Sequence, residues 1–301
     1  MSERLAARLE GPDGAPVLAL GTSIGTSQGL WDPQAAVLGR RFRLLRFEFR
    51  GHGPAGAQSP APPGPYTIAD LGADVLGLLD QHDLGQVAYA GVSLGGMVGM
   101  WLATHAPERI SRLALCCTTA HLPPASLWEQ RAATARTQGM GALVNQVIAR
   151  WFTPVWAQAN PGPVAAVAAM LQGTDPEGYA GCAEAIAVMD QRRAVAAITA
   201  PTLVIAGAED PATPPAMGAQ LARAIPGAAF IVVRGSAHLA GYQTPGEVTA
   251  ALWSHLSPLA GLSLFGFLTH LRHAGALGVH RWRETECCPG RQIWPDASTS
   301  T

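Results

Sequence analysis

Short, mostly apolar runs recur along the first 257 residues and alternate with longer segments of helical character. Apolar runs of this length, alternating with helices, are typical of buried strands in a parallel sheet that is covered on both faces. We therefore predict an α/β fold with a mostly parallel central sheet flanked by helices. The predicted strands are Val17–Leu20, Phe42–Phe47, Val87–Ala90, Leu113–Cys117, Thr202–Ala206 and Ala229–Val233, and the predicted helices are Trp31–Leu38, Ile68–Gln81, Gly95–His105, Ala216–Ala224 and Val248–Leu256.

The alternation stops between residues 121 and 190. This stretch keeps helical periodicity and contains no clear strand. We predict that residues 122–190 form a helical lid over the carboxyl edge of the sheet, where the ligands of open α/β sheets bind. Residues 1–121 and 191–257 then form the core. Four large aromatic residues mark the lid segment: Trp128, Trp151, Phe152 and Trp156.

The composition changes again beyond Ser257. Residues 258–301 begin with a stretch rich in Leu, Phe and Gly, and they end in Ser and Thr without a clean period. The apolar part of this tail is too short to span a bilayer. Two hypotheses stay open for the tail: a disordered extension, or the remnant of a fused or frame-shifted second domain. Neither gives it a function.

Charge and cysteine content narrow the class of partner. The net charge is −1, and the absence of a basic run in the first 257 residues argues against nucleic-acid binding. No apolar run reaches the roughly 18 residues of a membrane span, and the charged start lacks the apolar region of a secretory signal. Five cysteines, four of them in adjacent pairs, fit neither a disulfide framework nor a zinc site. We expect a cytoplasmic protein that binds a small molecule and no metal, and a homo-oligomer is compatible with the sequence.

A G-x-S-x-G motif, Gly91-Val92-Ser93-Leu94-Gly95, joins a predicted strand to a predicted helix. In this setting the turn is strained, its serine hydroxyl is exposed, and its two glycines avoid a steric clash. The motif therefore predicts that Ser93 is a nucleophile. The alternative is a glycine-rich turn with an idle serine.

A serine hydroxyl needs a base within hydrogen-bond reach, and the base needs an orienting acid. In folds with this motif, the acid and then the histidine follow the serine along the chain. Asp210 and His238 follow the last two predicted strands, at the same sheet edge as Ser93. We predict Asp210 as the acid and His238 as the base. Glu209 is the alternative acid because it is adjacent, and His52 is the alternative base although it precedes the serine.

The oxyanion of a tetrahedral intermediate needs preorganised backbone N–H donors. One donor is the N–H of Leu94, the residue after the nucleophile. The other is expected in the loop Gly21–Ser27, where small residues let the backbone approach a ligand. We choose Ile24, with Ser23 as the alternative. The loop lacks the G-x-x-x-x-G-K-[ST] pattern, so it is not a phosphate loop.

With these motifs, residues 12–257 resemble the α/β-hydrolase superfamily and, more narrowly, the 3-oxoadipate enol-lactonases. The narrower resemblance rests on motifs in both the predicted core and the predicted lid. They are Gly25-Thr26 with Trp31-Asp32-Pro33, Arg50-Gly51-His52-Gly53, residues 63–71, Gly91 to Gly96, Arg150-Trp151-Phe152-Thr153-Pro154, Glu177-Gly178-Tyr179, residues 189–192, residues 210–215, and Ala237-His238-Leu239.

The resemblance implies hydrolysis of 3-oxoadipate enol-lactone to 3-oxoadipate through an acyl-enzyme, in aromatic-compound catabolism, with no metal or organic cofactor. It implies that Ser93 is the nucleophile, His238 the base and Asp210 the acid. It also implies that Ile24 occupies the position of the oxyanion donor.

Two departures from the family concern the fine geometry of the pocket. Glu48-Phe49 precedes the Arg-Gly-His-Gly turn, where the family often has an Asp. Gly21-Thr22-Ser23 stands where relatives favour a polar residue before the serine. The tail shows no pattern of the carboxymuconolactone decarboxylase domain that some relatives carry.

The implied substrate brings a free carboxylate into the pocket. A guanidinium binds carboxylate bidentately, and Trp128 and Arg131 lie three residues apart on one predicted helix face. We predict both as substrate contacts; the alternative is a surface arginine over a core tryptophan.

Three functions are compatible with the motifs. The first is the enol-lactone hydrolase. The second is a general carboxylesterase or perhydrolase with the same triad. Activity on neutral aryl esters with none on the lactone would favour this second function. The third is a small-molecule receptor on a hydrolase scaffold, because one fold hosts many functions.

Overall fold

The computed structural model describes residues 5–53 and 61–257, so the predicted tail lies outside the described residues. Within these ranges, seven strands form one sheet in the order β1-β3-β2-β4-β5-β6-β7. Strand β1 runs antiparallel to β3, and all other neighbours are parallel. The strands are β1 Ala7–Glu10, β2 Val17–Gly21, β3 Arg43–Phe47, β4 Val87–Val92, β5 Ile110–Cys116, β6 Thr202–Gly207 and β7 Ala229–Val233.

The six predicted strands correspond to β2–β7. The central strands β4 and β6 are buried along their whole length, as expected for parallel strands that helices cover on both faces. Strand β1 was not predicted. It is short, none of its residues is fully buried, and it forms the antiparallel edge of the sheet, so it lacks the continuous apolar run that marks the others.

Helices cover both faces of this sheet. Helices α2, α3 and α9 lie on one face, and α1 and α11 on the other. The helices are α1 Asp32–Leu38, α2 Ile68–Gln81, α3 Leu94–His105, α4 Ala125–Gln138, α5 Val144–Trp151, α6 Pro154–Ala159, α7 Pro161–Gln172, α8 Pro176–Val188, α9 Pro215–Ala224, α10 Ala240–Gln243 and α11 Pro245–Leu256.

Helix α2 shows how sequence sets these boundaries. Thr67 and Asp70 form a reciprocal capping box, in which each side chain accepts a hydrogen bond from the other residue's backbone N–H. Apolar residues then recur at helical spacing on one buried face. They are Ile68, Leu71, Val75, Leu78 and Leu79.

Helices α4 to α8 lie between β5 and β6, within the segment predicted as a lid; we call residues 122–190 the insertion. Its two ends meet, because His121 and Asp190 form an antiparallel bridge. Gln191 extends this closure: its backbone N–H donates to the carbonyl of Ala120 at 2.8 Å, and its side-chain amide donates to the carbonyl of Met97 at 2.9 Å. The insertion thus leaves and rejoins the core at one point.

Candidate active site

The turn between β4 and α3 holds Ser93 in a strained conformation. Its φ of 54° and ψ of −113° lie where a residue with a side chain rarely sits. Hydrogen bonds fix this turn: the Ser93 N–H donates to the Cys116 carbonyl at 2.9 Å, and the Thr118 hydroxyl donates to the Ser93 carbonyl at 2.8 Å. The surrounding structure therefore maintains the conformation that presents the serine at the end of the sheet.

The two glycines of the motif are required by close backbone contacts. A Cβ on Gly91 would lie 2.3 Å from the carbonyl carbon of Gly95, and a Cβ on Gly95 would lie 2.4 Å from the carbonyl carbon of Gly21. All of these contacts involve backbone atoms, so a side chain could be accommodated only by moving the chain.

His238 and Asp210 meet in a buried pair. The Nδ1 atom of His238 lies 2.8 Å from a carboxylate oxygen of Asp210, and both side chains are almost completely buried. Asp210 follows β6 and His238 follows β7, so adjacent parallel strands bring them to the same edge. Glu209, the alternative acid, is exposed and makes no contact with the histidine among the described hydrogen bonds.

The environment of Asp210 keeps it ionised. Burial by itself opposes the charge, but His238 and hydrogen bonds from Thr213 outweigh burial and lower the pKa of Asp210 below its ordinary value. One carboxylate oxygen accepts the backbone N–H groups of Ala212 and Thr213 at 2.7 and 3.0 Å. The other accepts the Thr213 hydroxyl at 2.7 Å, beside the histidine. An ionised carboxylate in this position fixes the imidazole with its proton on Nδ1, leaving Nε2 as an acceptor.

Gln243 connects the His238 loop to the insertion. Its carbonyl oxygen accepts the N–H of Ala237 at 3.1 Å and that of Thr153 at 3.3 Å, and its amide donates to the Thr153 hydroxyl at 2.6 Å. Alongside this, the Leu239 N–H donates to the Trp151 carbonyl at 3.1 Å. The position of the histidine therefore depends on the insertion as well as on the core.

Ser93 and His238 line one cavity of about 50 Å³ between the core and the insertion. No direct hydrogen bond joins their side chains among the described contacts, and such bonds are often long before substrate binds. The cavity also includes Ile24, Trp128 and Arg131, all predicted from the sequence. The remaining lining residues are Leu122, Pro123, Leu127, Val147, Arg150, Trp151, Tyr179 and Ala212.

The backbone around Ser93 offers the two predicted N–H donors. Leu94 is the first residue of α3, so its N–H has no carbonyl one turn earlier in the helix to which it could donate. The Ile24 N–H makes no hydrogen bond within the described part of the chain. The loop that carries Ile24 is tied to α3, because the Gly95 N–H donates to the Thr22 carbonyl at 2.9 Å. Ser23, the alternative to Ile24, is fully buried and is not among the cavity residues.

His52 supports the same loop and is already bonded at both ring nitrogens. Its Nε2 accepts the N–H of Gly25 at 2.9 Å, and its Nδ1 lies 2.8 Å from the carbonyl of Arg50, to which it donates. Burial lowers the pKa of His52 to about 4, which keeps the ring neutral near pH 7. His52, the alternative base from the sequence, therefore has no free nitrogen for Ser93 and instead holds the residue next to Ile24.

Trp128 and Arg131 share one face of α4, as predicted. The Arg131 guanidinium carbon lies 4.9 Å from the centre of the Trp128 ring, and both side chains are buried. The Nε of Arg131 and the indole N–H of Trp128 are buried without a hydrogen-bond partner among the described residues. Buried polar groups normally have hydrogen-bond partners. A substrate bound in the cavity would provide them here.

Arg150 and Tyr179 also line the cavity, although neither was predicted from the sequence as a site residue. Both belong to motifs that carried the family resemblance, so a signal for them was present. Burial and the nearby charge of Arg131 lower the pKa of Arg150 against the opposing charge of Asp210, and burial raises the pKa of Tyr179 against the effect of Arg131. No Asp or Glu lines the cavity among the described residues, and neither arginine forms an ion pair there. The cavity therefore has an electropositive wall.

Comparison with known proteins agrees with this geometry. The family model for the alpha/beta hydrolase fold matches residues 16–245. Over 230 residues the chain is 36% identical to 3-oxoadipate enol-lactonase 2 of Acinetobacter baylyi, covering 76% of this chain and 84% of the relative. The solved enol-lactonase from Burkholderia xenovorans LB400 is 38% identical, with a TM-score of 0.80 and coverage of 88% of this chain and 96% of that chain. A thermophilic esterase from Thermogutta terrifontis, solved with malate bound, is 28% identical, with a TM-score of 0.76 and coverage of 82% and 91%.

The chain belongs to the α/β-hydrolase family. Within that family its relatives mark it as a carboxylic-ester hydrolase that resembles the 3-oxoadipate enol-lactonases. Over residues 5–53 and 61–257, no helix has the length and apolar character needed to cross a membrane. In the same ranges, no cluster of three or more His, Cys, Asp or Glu side chains is arranged to hold a metal ion.

Proposed function

We propose that the protein hydrolyses a lactone that carries a carboxylate, 3-oxoadipate enol-lactone, with Ser93 as nucleophile, His238 as base and Asp210 as the orienting acid. One observation carries the proposal. The cavity that contains Ser93 and His238 is also lined by two arginines and by no acidic residue among those described. A neutral ester would leave these guanidinium groups without an anion to pair with in the cavity, whereas an acidic lactone supplies one.

The reaction proceeds in two halves. The Ser93 hydroxyl attacks the lactone carbonyl while its proton passes to Nε2 of His238, and the ring C–O bond breaks. The imidazolium returns the proton to the leaving enolate oxygen, and the resulting enol tautomerises to the ketone. Water then attacks the acyl-enzyme and gives its proton to His238, which returns it to the departing serine oxygen. Asp210 stays ionised throughout and stabilises the imidazolium.

The backbone N–H groups of Ile24 and Leu94 stabilise the oxyanion in both halves. Neither N–H has an assigned acceptor among the described residues, and each belongs to a segment that flanks Ser93. Preorganised donors of this kind require no rearrangement as charge develops on the carbonyl oxygen. Losing one such donor typically costs about 10² to 10³ in kcat.

Trp128 and Arg131 bind the substrate carboxylate. Arg131 is buried over the Trp128 ring, and its buried Nε has no hydrogen-bond partner among the described residues. The related esterase from Thermogutta terrifontis was solved with malate, a dicarboxylate, bound. This supports an acidic ligand for the protein described here.

The deciding experiment follows the loss of enol-lactone ultraviolet absorbance in the wild type and in Ser93→Ala and Asp210→Asn. We expect rapid loss with the wild type, background loss with Ser93→Ala, and a fall in kcat of about 10⁴ with Asp210→Asn. Glu209→Gln is the matched control, because this acid is adjacent to Asp210 but exposed, and it should retain full activity. The enol-lactone would be the wrong substrate if neither the wild type nor any variant hydrolysed it while p-nitrophenyl acetate was still cleaved in a Ser93-dependent way. That result would leave the proposed triad unchanged.

Arg131→Gln tests recognition of the carboxylate. We expect KM for the acidic lactone to rise at least about tenfold, because a charge-assisted bidentate contact is lost, and KM for neutral p-nitrophenyl acetate to change little. An unchanged KM for the lactone would remove Arg131 from the substrate site.

A further inference from the structure

Two guanidinium groups line the cavity, but the proposed substrate carries only one carboxylate. Arg131 and Arg150 both lie on the insertion and both line the cavity that contains Ser93. They are close enough that the charge of Arg131 acts on Arg150. The charge of Asp210 offsets this repulsion in part, but burial and Arg131 together outweigh it, so an anion that binds between the two guanidinium groups is favoured. The single carboxylate of the substrate can pair with only one of the two guanidinium groups.

The two arginines lie on different sides of the cavity. Arg131 is next to Trp128 and Tyr179, and the Tyr179 ring packs against Gly25 in the loop that carries Ile24. Arg150 donates from Nη2 to the carbonyl of Pro211 at 3.0 Å, directly after Asp210. One guanidinium is therefore on the oxyanion-loop side, and the other is on the side of the Asp210–His238 pair.

Hydrolysis itself supplies a second anion. Opening the lactone and hydrolysing the acyl-enzyme converts the ester carbonyl into a new carboxylic acid, whose second oxygen comes from water. This acid releases its proton to solvent and becomes a carboxylate. The substrate thus enters with one negative charge and the product leaves with two. The new carboxylate forms at the Ser93 oxygen, beside His238 and on the side of the cavity where Arg150 lies.

We propose that Arg150 is a second anion-binding group and that, with Arg131, it makes the cavity a site for linear dicarboxylates of about six carbons. This inference rests on the proposed function for the identity of the product. Arg150 binds the carboxylate formed at Ser93, and Arg131 binds the carboxylate that the substrate brings. The reaction is therefore inhibited by its own dianionic product and by unreactive dicarboxylates of similar length.

The test measures binding directly, so it does not depend on turnover. Full-length Ser93→Ala protein is titrated calorimetrically with adipate and with the monoamide of adipic acid, which has the same length and only one negative charge. We expect adipate to bind at least about tenfold more tightly than the monoamide at low ionic strength. Adding Arg150→Gln should bring the affinity for adipate down to that for the monoamide, with the affinity for the monoamide unchanged within about twofold.

Two further variants separate charge from structure. Arg150→Lys keeps the charge and should retain part of the preference for adipate, whereas a purely structural role of Arg150 would leave the preference unchanged in Arg150→Gln. Arg193→Gln removes an exposed arginine just beyond the insertion and should change neither affinity. If Arg150→Gln does not fold, the comparison of adipate with its monoamide in the Ser93→Ala protein, together with Arg150→Lys, still decides the question.

The outcomes distinguish this inference from the proposed function. Equal affinity for adipate and the monoamide, or a preference that survives Arg150→Gln, would overturn the dicarboxylate site even if the lactone were hydrolysed. Conversely, an Arg150-dependent preference for adipate in a protein that leaves the enol-lactone intact would retain the dicarboxylate site and reject the proposed substrate.

Discussion

Two buried histidines give the folded protein a specific sensitivity to acid, and His255 provides the clean test. It lies near the end of α11, away from the cavity, where its Nε2 donates to the Leu113 carbonyl at 3.0 Å. Burial is the main cause of its low pKa of about 4, and the neighbouring positive charge of Arg112 lowers the pKa further. In the unfolded chain the same ring has a pKa near 6.5.

The sign and size of the effect follow from these two values. Between pH 6.5 and pH 4 the unfolded chain binds a proton that the folded protein does not, so the free energy of unfolding falls as the pH falls. The contribution is fully present above pH 6.5. For one histidine the loss from pH 7 to pH 5 is about 2 kcal/mol, because each unit of pKa difference corresponds to about 1.36 kcal/mol.

The measurement is urea unfolding at pH 7 and pH 5 for the wild type and for His255→Gln. Glutamine keeps an N–H donor near the position of Nε2 but does not titrate, so we expect the loss of stability to be smaller by about 2 kcal/mol in the variant. Between pH 7 and pH 9 the free energy of unfolding should change by the same amount in the two proteins, which serves as the control. Equal losses in both proteins between pH 7 and pH 5 would refute the reasoning. His52 adds a loss of similar size and direction, which both proteins share.

Three further changes have defined consequences. His52→Leu should lower kcat for p-nitrophenyl acetate about tenfold with little change in KM, because the N–H of Gly25 loses its acceptor and the oxyanion loop shifts. An unchanged kcat in steady-state assays would exclude this support. Thr213→Val removes a 2.7 Å hydrogen bond to Asp210 and should raise the pKa of that carboxyl and lower kcat several-fold, measured as a pH–rate profile; a profile identical to the wild type would count against it. Gly95→Ala should cost about 3 kcal/mol of stability in urea unfolding, because its Cβ would meet backbone at 2.4 Å; a stable variant would show that the turn can move.

The core and the positions of the candidate site residues on it could be predicted because their signals are local. Continuous apolar runs mark the buried strands β2–β7, and the G-x-S-x-G motif records a steric requirement within five residues. Chain order then identified Asp210 and His238 as partners that adjacent strands bring together. Strand β1 was not predicted, because a short edge strand that is partly exposed to solvent does not need a continuous apolar run.

The electropositive wall could be predicted only in part. Trp128 and Arg131 could be predicted because helical spacing places both on one face of α4. Arg150 and Tyr179 come from different helices, α5 and α8, and they meet the cavity only through tertiary packing. The role of His52 was hidden for the same reason, since its partner Gly25 is 27 residues away along the chain.

The closure of the insertion at a single point has a consequence for how this enzyme could change. His121 and Asp190 are paired neighbours, so the polypeptide leaves β5 and returns toward β6 without altering the spacing of those strands. Replacement of everything between them by a segment from a relative would then exchange Trp128, Arg131, Arg150 and Tyr179 together, while Ser93 and Asp210 stay on the core. His238 keeps its position only where the new segment also supplies the contacts that Trp151 and Thr153 make. In this architecture the proposed substrate contacts can be exchanged as one segment, while the nucleophile and acid proposed for bond cleavage belong to a part of the chain that the exchange leaves alone.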